Sequence, residues 1–246
     1  MSREAGAAAG LPPHPLLDGA VIRPSGEAAF AVEFGDRIDP RLAERARALA
    51  VALDAARPEG LRETVPTHRS VLVIHDPDLD DPLSILAALP EGAAAAGPEP
   101  ARWRVPVCLE GAAAEDLAEA ASLLGLAPDD LRARLLASDL RVAMYGFAPG
   151  LAYLSGVDPA ATPPRRASPR RPMPAGSLIA AAGQAALASV SMPTGWYVLG
   201  RAAVRMFDPA GSPPVPFAPG DRIALRAVSE DALAALSPSG GVERLA

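Results

Sequence analysis

From Leu140 to Arg226 the sequence offers only short apolar runs, and proline or glycine keeps interrupting them: Gly146, Pro149, Gly150, Gly156, Pro159, Pro163, Pro164 and onward to Pro219-Gly220. Proline removes a backbone donor and clashes with the preceding helical turn, and interior glycine weakens helix and strand alike. What such a texture permits is a set of short strands separated by turns, hence an all-β barrel or sandwich. Strands are expected at residues 140–145, 177–182, 196–200, 203–207 and 222–227.

The preceding part reads differently. Ala20–Pro24 and Ala28–Phe34 are strand-like, with Ala28, Phe30, Val32 and Phe34 sharing one parity. A helix begins at Asp39-Pro40, where Asp39 suits the N-cap and Pro40 has no N–H to lose. Leu42, Ala46, Leu49 and Leu53 form its apolar stripe, with Arg41, Glu44, Arg45 and Arg47 off it. Leu61–Thr67 and Ser70–His75 suggest a hairpin, and a short helix starts at Asp81-Pro82. The order β-β-α-β-β-α implies a small α+β domain. Gly97-Pro98-Glu99-Pro100 is the best linker, because two prolines in three residues exclude helix and weaken strand. After it come a strand at Trp103–Leu109 and helices at Ala113–Leu124 and Ala127–Ser138. Residues 1–18 carry Ala, Gly and Pro without a period and read as a tail. The expected division is a tail over 1–18, an α+β domain over 19–96 and a β-barrel domain over 101–246.

Half of the 246 residues are hydrophobic and only 4% aromatic, so the cores must be built from alanine and aliphatic side chains. The net charge of −6 leaves no electrostatic footprint for nucleic acid. The single cysteine, Cys108, excludes an internal disulfide and suits a reducing cytoplasm. The three histidines do not join it at metal-ligand spacing. No basic region followed by an apolar run marks a signal peptide, and no stretch of about 18 apolar residues could span a bilayer. A cytoplasmic protein is the expectation.

Chemistry concentrates in two segments. Gly146-Phe147-Ala148-Pro149-Gly150-Leu151-Ala152-Tyr153-Leu154-Ser155-Gly156 has an irregular backbone that a ligand could approach closely, with Phe147 and Tyr153 as walls. A strand–turn–strand connection with two core aromatics explains it as well. Pro164–Pro174 sets Arg165, Arg166, Arg170 and Arg171 on a proline-stiffened stretch. Their planar forks suit a carboxylate or acyl phosphate, or they simply solvate a loop. Gly183-Gln184, Gly195-Trp196 and Gly200-Arg201 punctuate later strands, and Pro219-Gly220-Asp221 reads as a turn. Asp116, Asp129 and Asp130 lie on or beside the expected helices and read as exposed. No nucleophile elbow, Walker loop, dinucleotide fingerprint or metal pair is present.

Taken in order, GFAPGLAYLSG (146–156), PR-x3-PR-x3-PAGS (164–177), GQ (183–184), GW (195–196) and GR (200–201) resemble the family of 5-oxoprolinase B-type subunits. That family is also called allophanate hydrolase subunit 1, and it includes the Kip inhibitor of a histidine kinase. The resemblance runs from about residue 21 to about residue 228. Relatives often have Gly-Gly-Trp where this chain has Thr194-Gly195-Trp196. The resemblance implies an α+β N-terminal domain followed by a cyclophilin-like β-barrel. It implies a member of a complex that uses ATP to open 5-oxo-L-proline to L-glutamate, acting with A-type and C-type subunits and inactive alone. The substrate-binding set it suggests is Gly146, Phe147, Pro149, Gly150, Tyr153, Arg165, Arg170, Gly183, Gln184 and Trp196. Catalytic residues stay unassigned, no metal is expected, and partners are protein subunits and a small anionic substrate rather than nucleic acid or membrane. The alternatives are a kinase-inhibiting binding module and a subunit of an allophanate hydrolase-type amidohydrolase.

Overall fold

The computed structural model describes residues 13–91, 99–236 and 241–246. The chain divides into two units, Met1–Glu99 and Pro100–Ala246. Gly97 and Pro98 of the expected linker lie outside the described residues, as do residues 1–12 of the expected tail. The remainder of that stretch is not a tail. His14 caps a 3-10 turn, Pro15–Leu17, by accepting the Leu16 N–H at 3.2 Å, and Leu17 is buried in the first unit's core.

The first unit follows its periodicities. Strands β1 (Val21–Pro24), β2 (Ala29–Glu33), β3 (Leu61–Pro66) and β4 (Ser70–His75) form an antiparallel sheet in the order β1-β2-β4-β3. Phe30 and Val32 of β2 and Val71 and Val73 of β4 turn the same way into the core, as alternation requires. Helix α1 (Pro40–Ala56) starts where Asp39 accepts the Arg41 N–H at 2.9 Å, and it packs on β3 and β4. Its Leu49 and Leu53 are fully buried, each contributing roughly 1.5–3 kcal/mol relative to exposure. The second helix is shorter than expected: α2 spans only Ser84–Ala87 and buries Ile85 and Leu86.

The second unit opens with β5 (Arg102–Cys108), a 3-10 turn at Gly111–Ala114, α3 (Leu117–Leu124) and α4 (Pro128–Ala137). A single helix over Ala113–Leu124 does not form. Glu115 and Asp116 break it, because the Asp116 N–H donates to the Val198 carbonyl at 3.1 Å rather than to a helical turn. Then follow β6 (Leu140–Tyr145), β7 (Ala152–Ser155), β8 (Arg170–Met173), β9 (Ser177–Ala181), β10 (Gln184–Leu187), β11 (Met192–Thr194), β12 (Tyr197–Ala202), β13 (Arg222–Ala227), α5 (Glu230–Ala235) and β14 (Glu243–Leu245). The strands β12-β9-β10-β7-β6-β13-β5 form a ring that closes when β5 pairs with β12 through Cys108–Arg201 and Val107–Ala202. The opposite half of that β5 edge, Arg102–Arg104, pairs with β14. Every neighbouring pair in the ring is antiparallel except β13 and β5, which run parallel. This is the barrel expected from the resemblance, and the whole chain is α+β. The expected strand at 203–207 is absent. Ala203 continues the ladder for one bond to Pro106, after which Val204 and Met206 are buried from irregular backbone.

Alternation in the barrel strands separates two apolar faces. Ala152, Leu154, Leu178, Ala180, Ala185, Leu187, Tyr197 and Leu199 point into the barrel. Ile179, Ala181, Ala186 and Val198 point outward and form a second cluster with Leu151, Met173, Trp196 and Tyr153. The small β8–β11 sheet contributes Met173 and Met192 to this outer cluster.

Candidate functional site

On the outer face, register aligns Tyr153 of β7 with Ala186 of β10, Ala186 with Ile179 of β9, and Ile179 with Val198 of β12. The methyl of Ala186 between two large side chains leaves a hollow. A cavity of about 480 Å³ opens there, floored by Leu151, Tyr153, Ile179, Ala186 and Trp196. Such a volume suits a small organic ligand. Pro169 and Arg165 stand on one side, and Met192, Pro193, Thr194 and Gly195 on another.

Trp196 is held by a local turn in which its N–H donates to the Thr194 hydroxyl at 3.1 Å. Its ring meets that of Tyr153 edge-on, with centroids 6.0 Å apart and planes at 71°. The Arg165 guanidinium lies 5.6 Å from the Trp196 centroid. An Arg over an indole face gains cation–π attraction while keeping its N–H fork for an anion.

The four arginines of the proline-rich stretch do different jobs. Arg166 pairs with Glu119 at 2.9 Å, and this bond raises its pKa above the ordinary guanidinium value. Arg170 is buried between Asp116 at 2.5 Å and Glu115 at 2.6 Å. Arg171 reaches Glu115 at 3.3 Å. Hydrogen bonding from Arg170, then from Arg171, holds the Glu115 carboxyl below the usual carboxylate range. Among the described residues no carboxylate pairs with Arg165, which faces the cavity. Arg170, expected to bind substrate, is placed away from the cavity lining and pairs with two carboxylates of the scaffold. Asp116, read as exposed, is corrected. It is buried, accepting from the Val198 N–H at 2.8 Å and from Arg170, so it fastens the arginine stretch to β12.

The glycine-rich turn after β6 shapes the rim and uses three of its amides internally. Gly146 N–H donates to Leu151, Ala148 N–H to Gly146, and Leu151 N–H to Ala148, so these amides are used inside the turn. Gly150 has φ +73°, and a Cβ there would lie 2.5 Å from Phe207 Cβ and 2.6 Å from the Met206 carbonyl oxygen. Only glycine lets the turn rest that closely on the 206–207 segment. Phe147 lines the cavity from left-handed backbone (φ +69°) and is 82% exposed. Gly146, Pro149 and Gly150 thus position Phe147 but do not line the cavity. Gly183 and Gln184 are not brought to it either. Ala182 and Gly183, with φ +50° and +80°, turn β9 into β10, and the Gly183 N–H donates to the Thr162 hydroxyl.

Of the ten expected residues, the cavity gathers Phe147, Tyr153, Arg165 and Trp196. Alternation along β9 marks Ile179 as outward-facing. Met192 and Pro193 gave no sequence signal, because their strand is three residues long and contains proline. The lining holds no carboxylate, histidine or cysteine that could carry a proton. Among the described residues no group of three or more His, Cys, Asp or Glu could hold a metal, and no helix is long and apolar enough to cross a membrane.

Three known proteins resemble this chain. The B-type subunit of 5-oxoprolinase from Bacillus subtilis (strain 168) is 27% identical over 228 residues, covering 85% of this chain and 93% of that protein. The crystal structure of TTHA0988 superposes with a TM-score of 0.69 at 30% identity, over 85% of this chain and 40% of that one, so this chain spans about two fifths of it. The K. lactis urea amidolyase shares the fold at a TM-score of 0.72 and 16% identity, over 92% of this chain and 16% of that one. Residues 20–217 match the family model described as "Carboxyltransferase domain, subdomain C and D", and the chain belongs to that family, alongside the B-type subunits of 5-oxoprolinase.

Proposed function

We propose that this chain is the B-type subunit of a 5-oxoprolinase-type assembly, in which its outer-face cavity holds the carboxylate and ring of 5-oxo-L-proline while A-type and C-type subunits complete an ATP-dependent ring opening to L-glutamate. The observation that carries the reading is Arg165, set over Trp196 at the edge of an apolar hollow with no carboxylate partner among the described residues. A guanidinium so placed would take a carboxylate in a two-pronged hydrogen bond, and the apolar floor would cover a small saturated ring.

The names of the curated relatives support the substrate class. The cavity offers one cation, Arg165, and three amides of the adjoining turn are engaged internally, which favours a small monoanion over a triphosphate there. ATP handling belongs to the partner subunits in this reading.

Co-expression with the cognate A-type and C-type subunits tests it. ATP-dependent glutamate release should require this chain and should fall by about a hundredfold in Arg165→Gln, the size expected when an electrostatic contact to the reacting anion is removed. Release that is indifferent to that substitution would remove the cavity from the mechanism. The complex should still assemble with Arg165→Gln, as judged by co-purification.

A further inference from the structure

A second cavity, of about 450 Å³, lies on the barrel between α5 and the segment that follows β12. It shares no lining residue with the first. Two motifs of the sequence that the first cavity leaves unused meet here: Ala175-Gly176 and Arg201. Arg201 is fixed by pairing on both sides, with Ser177 of β9 and Cys108 of β5. Its stem crosses Gly176, where a Cβ would lie 3.6 Å from Arg201 Cγ and 2.7 Å from the Ala202 carbonyl oxygen. Glycine at that point, with φ +80°, keeps the floor open beneath the guanidinium.

Two polar groups in this cavity await a partner. The Ser189 hydroxyl is buried and makes no hydrogen bond among the described residues. A buried hydroxyl without a partner is costly, so an acceptor placed beside it is stabilised. Arg201 meets no carboxylate among the described residues, whereas the neighbouring Arg205 is already bound to Asp208 at 3.0 Å. The rest of the wall is apolar: Val204, Met206, Phe207, Leu233 and Leu236. A cation and a donor in an otherwise largely apolar wall select an amphipathic anion.

We propose that this second cavity binds a small organic carboxylate, with its carboxylate on Arg201 and the Ser189 hydroxyl and its hydrocarbon part against Met206, Phe207 and Leu233. The site is independent of the reading given to the first cavity.

Titration calorimetry of the full chain with sodium hexanoate tests it, with hexylammonium as the same hydrocarbon carrying the opposite charge. Hexanoate is expected to bind saturably and hexylammonium not to bind. Arg201→Gln should weaken hexanoate by about tenfold or more, and Ser189→Ala by about threefold, the sizes typical of losing a charged and a neutral hydrogen bond. Ala234→Phe, on the exposed side of α5, should block the mouth and abolish binding without entering the core. Because the first cavity is itself proposed to take a carboxylate on Arg165, the titrations are run in Arg165→Gln, so that the binding read is that of the second cavity. The proposal is overturned if hexanoate shows no saturable binding in Arg165→Gln, if hexylammonium binds equally well, or if adding either Arg201→Gln or Ala234→Phe, verified as folded by circular dichroism, leaves the affinity unchanged.

Discussion

Replacing Asp116 with alanine should cost the barrel about 3–4 kcal/mol. The carboxylate is buried and meets three groups, the Arg170 guanidinium at 2.5 Å, the Val198 N–H at 2.8 Å and, more loosely, the Arg166 guanidinium at 3.6 Å. Removing one member of a buried ion pair costs roughly 3–5 kcal/mol, because the other charge is left without compensation. Glu115 still contacts Arg170 at 2.6 Å, which moves the expected loss toward the low end of that range. Orphaning the Val198 N–H adds about 1–3 kcal/mol, less whatever water recovers. Arg170 has little slack, since its Nε is buried and makes no hydrogen bond among the described residues. Urea unfolding followed by tryptophan fluorescence reads this unit alone, because Trp103 and Trp196 are the two tryptophans of the chain. Glu115→Ala supplies the scale. Its side chain is 29% exposed, so its loss should stay near 1 kcal/mol. In the double variant Asp116→Ala/Arg170→Ala the penalties should not add, since the second change removes the stranded charge. An Asp116→Ala loss below about 1 kcal/mol, or equal to that of Glu115→Ala, would refute the idea that a buried carboxylate anchors the arginine stretch.

Asp221 should prove as sensitive: it accepts from Ala101 N–H at 2.8 Å, Trp103 Nε1 at 2.7 Å and Ala218 N–H at 2.9 Å, so Asp221→Ala should lower barrel stability by about 3 kcal/mol in the same fluorescence assay and shift the Trp103 emission. The Glu115 carboxyl has its pKa lowered in the folded state by Arg170 and Arg171, so its contribution is complete above the ordinary carboxylate range and is lost as pH falls through the depressed value. Urea midpoints measured from pH 7 down to pH 3 should therefore decline less steeply in Glu115→Gln than in the parent.

Local patterns carried most of the fold. The Asp39-Pro40 start and the Leu49–Leu53 stripe needed nothing beyond α1 itself, and Phe30 and Val32 declared their face by parity. The strands β7, β8, β10, β11 and β14 escaped because they are four residues or fewer; β8 and β11 also contain proline, and β10 reads QAAL, without β-branched or aromatic residues. Asp116 and Asp221 looked like surface or turn carboxylates, yet their partners lie far away in the chain: Val198 and Arg170 for one, Ala101 and Trp103 for the other. Periodicity carries no record of such distant bonds. The same reason divides the motif residues. Arg165 and Arg170 sit in identical Pro-Arg contexts, and only the fold puts one at a cavity and the other between two carboxylates.

The parallel partnership of β5 and β13 has a kinetic consequence. Arg102 faces Arg222 and Val107 faces Ala227, so the first strand of the barrel waits for one that emerges about 120 residues later. During synthesis the hairpins β6–β7 and β9–β10 can zip as they leave the ribosome, while Val105 and Val107 stay without their final neighbour until the chain has passed Ala227. Contacts of such long loop closure form slowly. Nascent chains halted short of β13 should therefore expose an unsealed apolar strand, which is where a chaperone would find its grip.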